Sequence, residues 1–270
     1  MKSLIRQDFG RDHLLIGCVH TLALPGTPLY DRSGGMRRIV SQAKEEAKIL
    51  QDAGFHALLY TNESDMPYTS DMPLEVVAAM TEVIAECQAS VPLPHGVNML
   101  IDPPASVAVA HATGGSFVRA FLTGVLAGDI GMMVPDGARA LRLRANLGAE
   151  NIRIICNVTP GFSINLDNRA VEQLASGAVF IGLADVVCVS GPAAGREADL
   201  SLVERVARHV SDTPVAVGTG VSETNIAALS KVAEVFIVGT SIKVDQQTLN
   251  PVDPARAVAL VKAFEAGLQA

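Results

Sequence analysis

The sequence predicts an α/β protein built as one (β/α)₈ TIM barrel, a single domain over residues 1–270. Three observations predict it. Eight short apolar runs, most of them rich in Val and Ile and bounded by Gly, Pro, Asn or Ser, recur along the chain. Longer segments with helical spacing of apolar positions separate them, the alternation that yields parallel strands joined by crossover helices. Two Gly-rich turns, PVAVGTG at 214–220 and VFIVGTS at 235–241, each follow a strand pattern, as the last two units of such a barrel do when they build a phosphate site.

The elements follow in order. The first strand reads LLIGCV (14–19), and the helix behind it runs from Met36 to Ala53 and stops at Gly54. HALLYT (56–61) is the second strand, with a helix from Leu74 to Cys87 behind Pro73. LPHGVNML (93–100) and SFVRAF (116–121) are the third and fourth. The connection 122–151 is longer than the others and carries the apolar, Gly-rich stretch TGVLAGDIGMMVPDG before its helix; long βα loops of this fold serve as lids or interfaces. IRIICNV (152–158), ADVVCVS (184–190), PVAVG (214–218) and EVFIVG (234–239) complete the set. Asp199 caps a helix from Leu200 to Val210, and Asp253-Pro254 opens the last one.

Composition narrows the function. Charged residues make up 18% of the chain against about 25% in a typical globular protein, and hydrophobic residues 49%, so apolar surface must be hidden, and a homo-oligomer is expected. The net charge of −7 and the absence of any basic run argue against nucleic-acid binding, which needs clustered Lys and Arg to displace phosphate counterions. Mean hydropathy is +0.32, yet no window offers the roughly 18 apolar residues of a membrane span; the most apolar stretch, 117–134, is broken by Arg119 and Asp129. The start MKSLIRQDFGRDH is polar where a signal peptide has its apolar core, so a cytoplasmic location is expected. Cys18, Cys87, Cys156 and Cys188 form no CxxC pair, and three of them sit inside apolar strand-like runs as small buried side chains do.

Active sites of this fold occupy the C-terminal ends of the strands. Those ends carry His20, Asn62 with Glu63 and Asp65, Asn98 with Asp102, Arg119, Asn157, Ser190 with Gly191, Gly218-Thr219-Gly220 and Gly239-Thr240-Ser241. Successive backbone N–H groups in the last two turns can surround a phosphate, although glycines there also simply permit tight turns. Lys243 either adds a charge to that site or is a solvated surface lysine. Glu63 and Asp102 are the candidate general acid and base; the competing reading is helix capping, above all for Asp102 before Pro103-Pro104. Asp65 before Met66-Pro67 reads as turn chemistry. His20 can shuttle a proton, polarise a carbonyl or sit hydrogen-bonded in the core. Arg119 within an apolar strand needs an anion, either a carboxylate inside the barrel or the substrate. Asn62, Asn98 and Asn157 offer donors and acceptors suited to a polyhydroxylated ligand.

Other chemistry is excluded or left open by the residues. No Lys lies within a strand, so a Schiff-base aldolase is not expected, and no GxGxxG, GxxxxGK[ST] or GxSxG supports a nicotinamide, P-loop or serine-hydrolase reading. No cofactor is assigned, although His20, Glu63 and Asp102 could together hold a divalent metal; no HxH or HExxH spacing backs it.

Several motifs in order, HTLALPGTPLYD (20–31), TNESDMPY (61–68), GVNMLIDPPAS (96–106), FVRAFLTG (117–124), CVSGPAAG (188–195), VGTGVSETN (217–225) and VGTSIKVD (238–245), resemble the BtpA/SgcQ family. The resemblance runs from about residue 14 to 260 and is nearest the SgcQ-type branch, whose members occur among sugar-uptake and sugar-catabolism proteins; the BtpA branch is associated with photosystem I biogenesis. Where the BtpA branch has Glu-Asn, Arg, Asn and an acidic residue followed by Lys-His, this chain has Thr61-Asn62, Ile101, Phe121 and Asn157-Val158-Thr159-Pro160. The resemblance implies the barrel and a sugar-related setting without implying a reaction.

The expected function is therefore carbohydrate catabolism: a small phosphorylated sugar or sugar-derived substrate undergoing acid/base isomerisation, epimerisation or aldol-type cleavage. Two alternatives stand beside it, hydrolysis of a glycosidic or N-glycosidic bond, and a non-catalytic assembly or stabilising factor as in the BtpA branch.

Overall fold

The computed structural model describes residues 4–269. Eight parallel strands close into a barrel: β1 (Leu14–His20), β2 (Ala57–Thr61), β3 (His95–Asn98), β4 (Phe117–Ala120), β5 (Arg153–Asn157), β6 (Val186–Val189), β7 (Val215–Val217) and β8 (Val235–Val238). Each pairs with the next in sequence, and β8 closes on β1 with Leu14 opposite Val235 and Gly17 opposite Val238. All eight expected runs are strands. β3 is shorter than its apolar run because Pro94, which has no N–H for the ladder, precedes it.

Strand alternation sorts the side chains into two cores. Leu14, Ile16 and Cys18 of β1, Leu59 of β2, Phe117 of β4, Ile155 of β5 and Ile237 of β8 belong to the cluster inside the barrel, whereas Leu15, Val19, Leu58 and Val118 pack outward under the helices. Gly96 of β3 makes room for Phe117: a Cβ there would lie 2.2 Å from the Phe117 ring. The same alternation aims the last inward residue of each strand at the C-terminal mouth.

Helices α2 (Gly35–Ala53), α3 (Leu74–Gln88), α4 (Pro103–Thr113), α5 (Gly137–Asn146), α6 (Val171–Phe180), α7 (Leu200–His209), α8 (Ile226–Leu229) and α9 (Pro254–Gln269) follow the strands. Gly54, at φ 99°, ends α2 in the left-handed conformation that favours glycine. Asp199 caps α7 by accepting the Ser201 N–H. No helix among the described residues is long and apolar enough to cross a membrane.

Two parts were not anticipated. Helix α1 (Leu4–Phe9) precedes the barrel, burying Ile5 and setting Phe9 edge-on to Phe117 at 6.2 Å, so that it plugs the N-terminal end. The long connection after β4 folds into a hairpin, Leu126–Gly128 and Gly131–Met133, and a strand from the next connection, Ser163–Asn165, pairs with it. This small sheet buries Leu126 and Met133 but leaves Met132, Val134 and Ile164 exposed.

Candidate functional site

A cavity of about 840 Å³ opens at the C-terminal mouth. Of the sequence-predicted residues, His20, Glu63, Asn98, Asp102, Arg119, Asn157, Gly218 to Gly220 and Gly239 to Ser241 line it. Asn62, Ser190 and Gly191 do not. The Asn62 amide is spent on its own loop and the one after β3, donating to Asp65 Oδ2 at 2.9 Å and accepting the Leu100 N–H at 2.8 Å. Gly191 meets protein rather than ligand: a Cβ would fall 1.9 Å from the Arg196 carbonyl. Asp65, tied also to the Leu24 N–H, is the turn residue its sequence suggested.

Arg119 is the centre of the arrangement. It projects inward from β4, and its Nε–H donates to Asn157 Oδ1 at 3.0 Å while Nη2 donates to Ser190 Oγ at 3.2 Å. Asn157 Nδ2 also donates to Ser190 Oγ, and Thr159 Oγ1 accepts the Ser190 N–H, so the fork is fixed from β5 and β6. Ser190 thus faces Arg119 rather than the cavity. Among the described residues no carboxylate forms an ion pair with this guanidinium. Gly218 leaves the space it needs, since a Cβ would lie 2.8 Å from Nη2 and 2.5 Å from Cys188 Sγ.

Glu63 and Asp102 differ sharply. Both Asp102 oxygens are engaged by backbone: Oδ1 accepts the Ala105 N–H at 2.9 Å as the cap of α4, and Oδ2 accepts the Met72 N–H at 2.8 Å. The capping reading therefore describes Asp102. The carboxyl of half-buried Glu63 makes no hydrogen bond to the described residues, and burial raises it above the ordinary range against the pull of Arg119 and Lys243. A carboxyl raised in this way and facing a cleft is a candidate for proton transfer.

His20 Nδ1 lies 3.0 Å from the Thr248 carbonyl, which can only accept, so Nδ1 carries the proton and Nε2 is left as an acceptor beside Gly239. Burial, with the Lys243 charge, lowers His20 to about 3. Its Nε2 is placed to accept a hydrogen bond from a group in the cavity. His20, Glu63 and Asp102 do not gather into a three-ligand cation site among the described residues, since Asp102 is turned to its backbone donors. All four cysteines are free and buried, and burial pushes Cys18 and Cys156 up to about 12, which leaves them as inert thiols.

Lys243 is neither a phosphate ligand nor a surface lysine. It is fully buried, with Nζ 2.8 Å from both oxygens of buried Glu46 on α2, and Glu46 Oε1 also accepts the Val252 N–H. The pair straps the segment after β8 to α2. The turns themselves retain unused donors: the N–H groups of Thr219, Gly220, Thr240 and Ser241 meet no acceptor among the described residues.

Thr61, Ile101, Arg196 and Arg256 are among the groups of the cavity wall that the sequence did not point to. Thr61 ends β2 facing inward, and the alternation with Leu59 was signal enough to find it. Ile101 adopts φ 62°, a strained conformation for a β-branched residue that has no signature in sequence. Arg196 and Arg256 arrive from a loop and from α9, away from any strand end.

Burial holds three imidazoles neutral, lowering His20 to about 3 and His56 and His95 to about 4. The unfolded chain takes up protons near pH 6.5 while the folded one does not. Each histidine thus contributes stability that is complete above about pH 6.5 and is lost as pH falls toward about 4, at roughly 1.4 kcal/mol per pH unit. Imidazole NMR is expected to show no titration of these three between pH 8 and 5; a midpoint near 6.5 at His20 would contradict its placement.

The family model for the BtpA family matches residues 11–266. The chain belongs to the BtpA family. Within it, the putative sgc region protein SgcQ of Escherichia coli (strain K12) is 34% identical over 254 residues, covering 94% of this chain and 95% of that one. The photosystem I biogenesis protein BtpA of Synechocystis is 30% identical over 266 residues, covering 97% and 92%. Both branches recognised in the motifs are thus present. Among solved structures, a native KDPGal structure superposes with a TM-score of 0.61 at 14% identity over 95% of this chain and 96% of that one, a likeness of barrel fold.

Proposed function

We propose that this family member is an enzyme acting on a phosphorylated sugar or sugar-derived small molecule by acid/base isomerisation, epimerisation or aldol-type cleavage. The observation that carries the reading is Arg119: a guanidinium fixed inside the barrel mouth by neutral partners, without a carboxylate, in the same cavity as a carboxyl that is free of hydrogen bonds. The three reaction types share one need, a proton moved beside a carbonyl while negative charge builds on its oxygen. Glu63 moves the proton, and Arg119 stabilises the charge. The unused N–H groups of Thr219, Gly220, Thr240 and Ser241 hold the phosphate, with Gly218 and Gly239 giving room beneath them. His20 Nε2 and the Asn98 amide position hydroxyls, and Asn157 and Ser190 hold Arg119 in register. The reaction takes place in the cytoplasm in a homo-oligomer.

Hydrolysis of a glycosidic bond is the weaker alternative, because Asp102, the second carboxylate it called on, is committed to two backbone N–H groups. An assembly role draws on a different observation, the exposed Met132, Val134 and Ile164 of the appended sheet, which a second copy of the chain or another protein would cover.

Incubating the protein in D₂O with a panel of sugar phosphates and following ¹H and ³¹P spectra tests the catalytic reading. Deuterium incorporation, a new isomer or a new phosphorylated fragment is expected for at least one of them. Unchanged spectra across aldose, ketose and amino-sugar phosphates would contradict it.

A further inference from the structure

The polar groups of the mouth fall into two halves. On the β5–β6 side they satisfy one another, as Asn157, Ser190 and Thr159 do around Arg119. On the β2–β4 side Asp102 is committed to backbone N–H groups, and three polar side chains are unused. Thr61 is 3% exposed, and its hydroxyl has no partner; the Asn98 amide and the Glu63 carboxyl likewise form no hydrogen bond to the described residues. An unpartnered hydroxyl buried in a cavity wall points to a ligand atom that satisfies it.

Arg119 is the cation of this second half, and its orientation is specific. Asn157 and Ser190 engage Nε–H and one Nη2–H, which leaves the Nη1–Nη2 edge with a parallel pair of N–H donors. That edge matches the two oxygens of a planar carboxylate bidentately. No protein carboxylate takes it, and the nearby buried cation, Lys243, is already neutralised by Glu46. A substrate that was neutral at this end would leave the guanidinium buried and uncompensated on binding.

We propose that the substrate is a phosphorylated sugar acid, whose carboxylate binds end-on to Arg119 in the β2–β4 half, with Asn98 and Thr61 reading the oxygens next to it. The inference rests on the reading above that the phosphate occupies the β7 and β8 turns. It makes Arg119 a specificity-determining residue as well as a stabiliser of charge, and places the reacting carbon between the carboxylate and the phosphorylated end.

The test uses matched ligands that differ only in carboxylate against CH₂OH: 6-phosphogluconate with sorbitol 6-phosphate, and 3-phosphoglycerate with glycerol 3-phosphate. Calorimetric titration of the unaltered protein is expected to show the acid of at least one pair binding about 10–100-fold tighter, the range of a charge-assisted hydrogen-bonded pair. Arg119→Met is expected to bind both members of each pair alike. Equal affinities in the unaltered protein overturn the proposal whatever the variant does, and so does a preference that survives in Arg119→Met. Gluconate separates the two readings: if it binds as tightly as 6-phosphogluconate and loses that affinity in Arg119→Met, the carboxylate site stands and the phosphate reading falls. Absence of binding by all five ligands overturns both.

Discussion

Glu63→Gln is expected to lower turnover by about 10²–10⁴-fold in the deuterium-exchange assay, with a melting temperature equal to or above that of the unaltered protein. Glutamine keeps the shape of the side chain and removes only its ability to exchange a proton. The stability sign follows from burial, which raises the Glu63 carboxyl and so disfavours its charged form in the folded state. A group raised in this way costs stability as pH rises through its folded value, and the neutral isostere removes that cost. Ligand affinity is expected to stay within about threefold, because the Glu63 carboxyl holds nothing in the protein and acts on the reacting proton. Turnover that survives the substitution would remove Glu63 from the mechanism. A marked drop in melting temperature would show instead that it is a structural carboxylate.

Lys243→Met is expected to destabilise the fold by about 3–5 kcal/mol, because it strands Glu46 as an uncompensated buried charge. For a chain of this size that corresponds to a melting temperature lower by roughly 10 °C. The double variant Glu46→Leu with Lys243→Met is expected to recover most of the loss, since a buried ion pair replaced as a whole by apolar side chains is often close to neutral. The pair ties the segment that follows β8 to α2, and that segment carries Thr240, Ser241 and the Thr248 carbonyl bound to His20. The single variant is therefore also expected to weaken binding of phosphorylated ligands. If the double variant were as unstable as the single one, the contribution would come from packing of the Lys243 stem rather than from its charge.

The barrel was legible because strand chemistry repeats locally: each run from Leu14–His20 to Val235–Val238 carries its own Val and Ile content and its own Gly, Pro or Asn boundary. The inward alternation that ends each strand at the mouth follows from the same local pattern, which is why His20, Asn98, Arg119 and Asn157 were found where they stand. What was not legible depends on partners distant in sequence. Lys243 looks like any surface lysine until Glu46, 197 positions away, is folded against it. The strands of the appended sheet are three residues each and come from two different connections, too short to show a period. Helix α1, with the sequence LIRQDF, is held by contacts distant in sequence, Ile5 and Phe9 packing inside the barrel and Asp8 pairing with Arg153. Asp102 carried both readings in its Asp-Pro-Pro context, and only the positions of the Met72 and Ala105 amides separate them. Gly218 and Gly239 were read as places where backbone approaches a ligand; the fold adds that their missing side chains make room for Arg119 and His20.

A phosphate held at the β7 and β8 turns is checked by thermal unfolding against phosphosugars, their free sugars and inorganic phosphate, with and without Mg²⁺. A native-state ligand at 100 times its Kd adds about 2.7 kcal/mol, a rise in melting temperature of roughly 5–10 °C here. A rise of that size is expected with particular phosphosugars and none with the same sugars after dephosphorylation. No response to any phosphorylated ligand, or an equal response to the free sugar, would contradict it.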